Sequence, residues 1–151
     1  MRTMGEATVA ICDIREETLR EPERLLKAQP AELGQKFLAT IVDVSKESAV
    51  SAWIEDIVSK FGLLDHAANF CGTPHPFDPV KDLTVKDLDF IVDVNLRTTF
   101  DCVQAQRKSL LRGSSIVNFS SGLGLGPEED LSLDSAAKGG IQALTSTGAK
   151  E

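Results

Sequence analysis

The sequence is poor in the residues that build metal centres and disulfide frameworks. Its 151 residues include only 3 cysteines and 2 histidines. Cys12, Cys71 and Cys102 are odd in number and widely spaced, which argues against a disulfide framework and for reduced thiols in a cytoplasmic protein. His66 and His75 show no paired ligand spacing, so no metal site is expected. Positive charge is also short: 16 Lys and Arg stand against 23 Asp and Glu, a formal net charge of -7. A nucleic-acid surface needs clustered cations to neutralise phosphates, and an anionic membrane face needs the same, so neither partner is expected. No apolar run approaches the roughly 18 residues that span a bilayer. The opening stretch MRTMGEATVAICDI has no separate basic and apolar regions, so it does not read as a signal peptide. The chain has no tyrosine at all.

What is present is an ordinary globular composition, 42% hydrophobic and 26% charged. A chain of this length buries roughly 68–70% of its unfolded surface, enough for one domain with a real core. We therefore expect a single domain over residues 1–151. ATVAICDI (7–14) is a short apolar run of β-formers and reads as a buried strand. Residues 15–29 have helical period but carry Pro22, which suits only a first turn or a kink. KFLATIVDV (36–44) is a second strand. Ser45 is placed to cap the next helix, where Val50, Trp53, Ile54, Ile57, Val58 and Phe61 share one face and Gly62 ends the run. LLDHAANFCG (63–72) is a third strand, followed by a loop of turn formers. Thr84 and Asp87 have capping-box spacing and open a helical region that continues past Asn95 to about Leu111. SSIVNFSS (114–121) is a fourth strand, and residues 134–151 form a last helix. Strands separated by helices imply an α/β fold with a parallel sheet of about four strands and helices on both faces.

Parallel sheets take ligands beyond the carboxyl ends of their strands. Those ends hold Asp13, Asp43, the segment Asn69 to Gly72, and Ser120–Ser121. A carboxylate there can accept hydrogen bonds from a ribose diol; for any single one a helix cap or a solvated loop is the simpler reading, but the four together point to a ligand site.

As a set, these segments resemble the short-chain dehydrogenase/reductase family, which moves hydride between NAD(P) and a carbonyl or alcohol on a Rossmann fold. VAICDIREE resembles the family's second strand. There the resemblance assigns Asp13, followed by Ile14, to the adenosine side of the cofactor and favours NAD over NADP. VDVS is similar to the family's third strand, with Asp43 and Val44 flanking adenine. LDHAANFCG is similar to the segment ending Asn-Asn-Ala-Gly: Asn69 and Gly72 match, while Phe70 and Cys71 depart. Asn95 in VDVNL matches the catalytic-site Asn and Ser121 in SIVNFSS the catalytic Ser. DSAAKGG matches Tyr-x-x-x-Lys with Lys138 retained and Asp134 at the tyrosine position.

The departures shape the expectation. The family begins with a strand and a Thr-Gly-x-x-x-Gly-x-Gly turn whose N–H groups hold the pyrophosphate. This sequence resembles an incomplete Rossmann sheet that starts just before the second strand and stops after the helix of Lys138. In the parent fold the first strand lies between the second and fourth, so two strand edges would face a gap. The sheet then has to close up, recruit another segment or assemble between chains. A phenol near pKa ~10 can be drawn toward neutrality, whereas an Asp starts near ~3.9 and is shorter. Asp134 is thus a poor acid for carbonyl reduction. It reads either as the N-cap of the last helix, paired with Lys138 one turn on, or as a base for proton transfer without hydride. Ser121 and Asn95 likewise have plain readings as a strand-end cap and a bonded core amide, and PEED (127–130) as a solvated loop.

Three functions compete. The chain is a non-redox descendant acting on a small molecule as an isomerase, lyase or cyclase, an NAD-dependent oxidoreductase, or a non-catalytic binding protein. No cofactor is expected to bind tightly, NAD being the one implied if the family function is retained. A homodimer or higher oligomer is expected through the helix after Asn95 and the last helix.

Overall fold

The computed structural model describes residues 8–28, 36–74 and 77–151. Ala7, Gln29 and His75, each part of an expectation above, lie outside them. The strands are β1 (Thr8–Asp13), β2 (Lys36–Ile41), β3 (Leu64–Asn69) and β4 (Leu110–Asn118). The helices are α1 (Glu16–Lys27), α2 (Glu47–Phe61), α3 (Val85–Ile91), α4 (Thr98–Arg107) and α5 (Ser132–Gly148). Between α3 and α4 the backbone makes one wide π-helical turn, Val92–Arg97.

The α/β class and the four strands are as expected, but the sheet is not continuous. β1 pairs with β2 in parallel, from Thr8 against Lys36 to Asp13 against Ile41. β3 pairs with β4 in parallel, ending at Asn69 against Asn118. Among the described residues the two pairs form two separate two-stranded sheets. Two parallel ladders of six residues or fewer are weak on their own, so the helices must hold them. Val50, Ile54 and Ile57 of α2 meet Cys102 and Ala105 of α4 in one buried cluster. Ala10 and Leu38 from the first pair and Leu64 from the second all rest on that cluster. One helical layer therefore carries both pairs. Each fully buried Val or Ile there contributes roughly 1.5–3 kcal/mol of transfer free energy. α1 packs on β1 and β2, with Leu19 as its buried residue.

Several local expectations are met. Gly62 closes α2 at φ +88°, a conformation other residues rarely adopt. The capping box of α3 is present in both directions between Thr84 and Asp87.

Others are corrected. Ser45 does not cap α2. Its hydroxyl donates to Asp43 Oδ1 at 2.6 Å, and the cap position is Lys46. Pro22 lies inside α1, in its second turn, so the Thr18 carbonyl has no N–H to receive four residues on. β4 begins at Leu110, earlier than expected, and Gly113 at φ +93° accommodates an irregular stretch within it. Asp134 is not the N-cap of α5. That position is Leu131, and Asp134 sits three residues in, on the first turn.

Candidate functional site

The site grows from the π-helical turn. Its wider ring aims Asn95 inward, and the side chain is 0% exposed. Asn95 Oδ1 accepts from the Thr73 N–H at 2.7 Å, and Nδ2 donates to the Thr73 carbonyl at 2.9 Å. The same Nδ2 reaches Asp134 Oδ1 at 3.4 Å. The Asn95 carbonyl accepts from Thr99 Oγ1 at 2.8 Å. One amide thus ties the loop after β3 to the first turn of α5. Asp134 is itself buried, at 5% exposure, and a carboxylate on the first helical turn is favoured by the helix dipole.

Gly72 completes the cluster by being small. A Cβ built there would lie 3.1 Å from Asn95 Oδ1 and 3.1 Å from Lys138 Nζ. Lys138 therefore points across α5 toward the Asn95 amide. Its main chain is fixed from below: Ser120 Oγ donates to the Lys138 carbonyl at 2.9 Å and receives Gln142 Nε2 at 3.1 Å. Gly124 lies against the same part of α5, where an added Cβ would meet the main chain of Lys138 and Gly139 at 3.0–3.1 Å.

Of the residues the sequence nominated, the structure brings together Asn95, Asp134, Gly72 and Lys138. β4 ends at Asn118, short of the expected 121, so Ser121 lies in the loop beyond it, where its hydroxyl accepts from the Leu123 N–H at 3.3 Å and caps the short turn Gly122–Gly124. Asn69 does something else. Its Nδ2 donates to Gln106 Oε1 at 3.0 Å and to Asn118 Oδ1 at 2.8 Å, while its Oδ1 accepts from Gln106 Nε2 at 2.7 Å. Asn118 continues the web to Thr145 Oγ1 at 3.0 Å. Both donors of Asn69 are spent on holding β3 to β4 and α4.

Asp13, Ile14, Asp43 and Val44 lie at the carboxyl ends of β1 and β2. Asp13 Oδ1 accepts from the Arg15 N–H at 2.9 Å, which holds its carboxyl below the ordinary range. Asp43 is lowered in the same way, first by the Ser45 hydroxyl and then by Lys46 at 3.1 Å. Ile14 is exposed, whereas Val44 packs on the α2–α4 cluster. Burial raises the Cys71 thiol, Asp13 raises it further and Lys138 lowers it.

Sequence reasoning missed Thr73 and Gln142, and gave Ser120 only a strand-end position. Thr73 acts through its main chain, which no motif records. Ser120 was visible as half of a Ser-Ser pair, and the structure gives it the α5 contact. Two clefts of about 340 and 400 Å³ lie elsewhere, along α4 and α5, with Phe100 and Leu144 lining both. Among the described residues there is no metal-ligating group of three or more, and no helix is long and apolar enough to cross a membrane.

Parallel strands, a helical layer and polar groups gathered beyond the strand ends define a Rossmann-like α/β protein. The model of the family described as short chain dehydrogenase matches residues 2–151, and the chain belongs to that family. It is 38% identical over 148 residues to the short-chain dehydrogenase/reductase ABA4 of Pyricularia oryzae (strain 70-15), covering 96% of this chain and 54% of that protein. The corresponding figures for aba4 of Botryotinia fuckeliana (strain B05.10) are 37%, 96% and 56%. Among solved structures it resembles NAD+-bound xylitol dehydrogenase (TM-score 0.83, 26% identity, 94% of this chain and 54% of the other). It also resembles levodione reductase (TM-score 0.85, 29% identity, 93% and 54%). The chain spans about half the length of the curated relatives it matches.

NAD, the cofactor this family implies, is only partly fitted by these residues. Asp13 stands where a ribose diol could be received, but its Oδ1 is already bonded. The sequence has no Thr-Gly-x-x-x-Gly-x-Gly turn, so the main-chain cradle for a pyrophosphate is not among residues 1–151.

Proposed function

We propose that this chain carries a proton-transfer pocket of the short-chain dehydrogenase family, working without hydride transfer on a small carbonyl compound, as an isomerase, lyase or cyclase does. The observation behind it is the buried Asp134 carboxylate, bonded by Asn95 and standing one turn before Lys138 on α5. In this reading Asp134 takes the proton α to a carbonyl. The electron pair moves to the carbonyl oxygen, and the Lys138 ammonium receives the charge that develops there. Asn95 positions Asp134. Such a base contributes typically 10²–10⁴-fold.

The test needs no knowledge of the natural substrate. Cyclohexanone in D₂O exchanges its α-protons through an enolate, and NMR follows the loss of signal. The purified chain is expected to accelerate exchange, and Asp134→Asn is expected to abolish the acceleration. Equal rates for wild type and variant refute the reading.

A second reading is an NAD-dependent oxidoreductase, supported by the carboxylate of Asp13 at the carboxyl end of β1 and by the likeness to NAD+-bound xylitol dehydrogenase. It predicts NADH binding in the low-micromolar range.

The proposal includes a homodimer. Phe100, Leu96 and Leu144 line the outer cleft of α4 and α5, and Phe100 is 46% exposed. Gly140 lets Leu96 close on α5, since a Cβ there would meet Leu96 at 3.0 Å. Three free cysteines suit a reducing cytoplasm.

A further inference from the structure

We propose that His66 and Ser115 form a nucleophile–base pair that takes the acyl group of an uncharged carboxylic ester with a medium-length apolar chain, at a site that shares no residue with the Asp134 pocket. His66 Nδ1 and Ser115 Oγ stand 2.9 Å apart, inside the reach of about 2.6–3.2 Å at which a base activates a hydroxyl. Both side chains are exposed, so a substrate can meet them directly. The main chain sets the contact, because the two residues are direct partners across β3 and β4. A ladder continued from Leu64 and Leu110 without a shift would set Arg112 opposite His66. The register slips between these pairs, with Gly113 at φ +93°, and brings Ser115 there instead. Irregularities of this kind re-aim side chains and recur beside active sites.

The rest of that face selects the substrate. Side chains alternate along a strand. Asn69 turns to Gln106 of α4 and Asn118 to Thr145 of α5. His66, Ala68 and Phe70, with Ser115, Val117 and Phe119 beside them, therefore face away from those helices, and all six are exposed. Phe70 and Phe119 stack with ring centroids 3.7 Å apart. At roughly 3.3 Å per residue, this stack lies about 13 Å along the strands from the His66–Ser115 pair, with Ala68 and Val117 between. An acyl chain whose carbonyl sits at Ser115 can run over Ala68 and Val117 and end against the two rings, covering apolar surface that water otherwise wets. The net charge of -7 disfavours an anionic acyl carrier, so the ester is uncharged.

The chemistry balances without a redox partner. With its own proton on Nε2, His66 takes the Ser115 hydroxyl proton at Nδ1 as Oγ adds to the ester carbonyl carbon. The tetrahedral adduct expels the alcohol oxygen, which receives that proton from Nδ1, and the acyl group stays on Ser115 Oγ. Water then repeats the sequence. His66 takes its proton, its oxygen adds to the acyl carbon, and Ser115 Oγ leaves and regains a proton. Ester and water have become acid and alcohol. A base placed in this way contributes typically 10²–10⁴-fold.

The experiment uses the whole 151-residue chain with p-nitrophenyl octanoate and p-nitrophenyl acetate, following p-nitrophenolate release and, in quenched samples, the mass of each proteolytic peptide. The wild type is expected to release p-nitrophenolate from the octanoate at least about tenfold faster than His66→Ala or Ser115→Ala. An octanoyl group should appear on the peptide that holds Ser115. That position is read on the wild type and depends on no variant. Relative to their rates in buffer, the octanoate should be accelerated more than the acetate, and Phe119→Ala should shrink this preference by about tenfold. Equal rates for the wild type and either dyad variant, an acyl group found only on lysine or cysteine, or no preference for the octanoate overturns the proposal.

Discussion

Asn95 grips the main chain of Thr73 from both sides, accepting its N–H at 2.7 Å and donating to its carbonyl at 2.9 Å. A buried amide used this way behaves like a short piece of β-ladder made by a side chain. It fixes the loop after β3 to the π-helical turn, and through Asp134 to α5.

Replacing Asn95 by alanine removes both bonds and leaves two main-chain groups to be resatisfied. Each orphaned buried group costs roughly 1–3 kcal/mol. Asn95→Ala should therefore lower the unfolding free energy and with it the urea midpoint strongly, whereas Ser121→Ala, which loses one cap bond at a partly exposed turn, should lower the unfolding free energy by less than about 1 kcal/mol. Comparable midpoints for the two variants would contradict the structure.

The buried thiols give a pH dependence of defined sign. Cys12 and Cys102 are raised from 9.0 to about 12, chiefly by burial. Above pH 9 the unfolded chain loses these protons and the folded chain keeps them. Stability from this source is complete below about 9 and is lost as pH rises toward 12, with a slope up to about 1.4 kcal/mol per pH unit for each thiol. Cys12→Ala should flatten that decline between pH 9 and 11 in urea titrations. An unchanged slope would show that Cys12 ionises as freely folded as unfolded.

The dimer predicted from the α4–α5 cleft is tested by Phe100→Glu. Phe100 is partly exposed on α4 and lines both clefts, so the change places charge in the apolar surface without opening the core. Sedimentation at micromolar concentration should show a dimer for the wild type and a monomer for the variant. A monomeric wild type refutes the interface.

How far the site was legible follows from what makes each part of it. Strands and helices show as periodicity, and the capping box at Thr84 and Asp87 shows as spacing, because both are local. The break between β1–β2 and β3–β4 is not local. It was visible only through resemblance to a fold in which a strand lies between them, and which of the three outcomes follows depends on long-range packing. Asn95, Asp134 and Lys138 were nominated from motif positions, and the structure gathers them. Asn69 was nominated in the same way, yet its amide serves the β3–β4 interface. Gln106 and Asn118 are ordinary residues in sequence, and nothing there shows that they take up its donors. Ser45 and Asp134 fit a capping pattern, but the cap positions fall at Lys46 and Leu131, neither of which makes a side-chain cap bond.

NADH should bind these 151 residues weakly. Asp13 and Asp43 could receive ribose and adenine, yet the phosphates would lack main-chain donors. Calorimetric titration is expected to give no saturation in the low-micromolar range. Low-micromolar affinity would revive the oxidoreductase reading and remove the ground for excluding hydride chemistry.

The last prediction concerns Asp134 itself. Asp134→Tyr should not create NADH-dependent reduction of a generic ketone such as cyclohexanone. The substitution returns a phenol one turn before Lys138, but hydride transfer needs the nicotinamide held about 3–3.5 Å from the reacting carbon, and a phenol does nothing for that positioning. Tyrosine must also enter a site where the carboxylate is nearly fully buried, so its melting temperature should fall. Asp134→Asn separates the remaining possibilities. On the first turn of α5 the charge is worth about 0.3–1 kcal/mol through the helix dipole, so folding should change little. If the carboxylate is the base, ketone α-exchange should drop to the uncatalysed rate while the melting curve stays close to wild type. Unchanged exchange and unchanged melting would leave Asp134 a helix-end charge. Ketone-dependent NADH oxidation by Asp134→Tyr would show that the cofactor is held after all and that the non-redox reading is wrong.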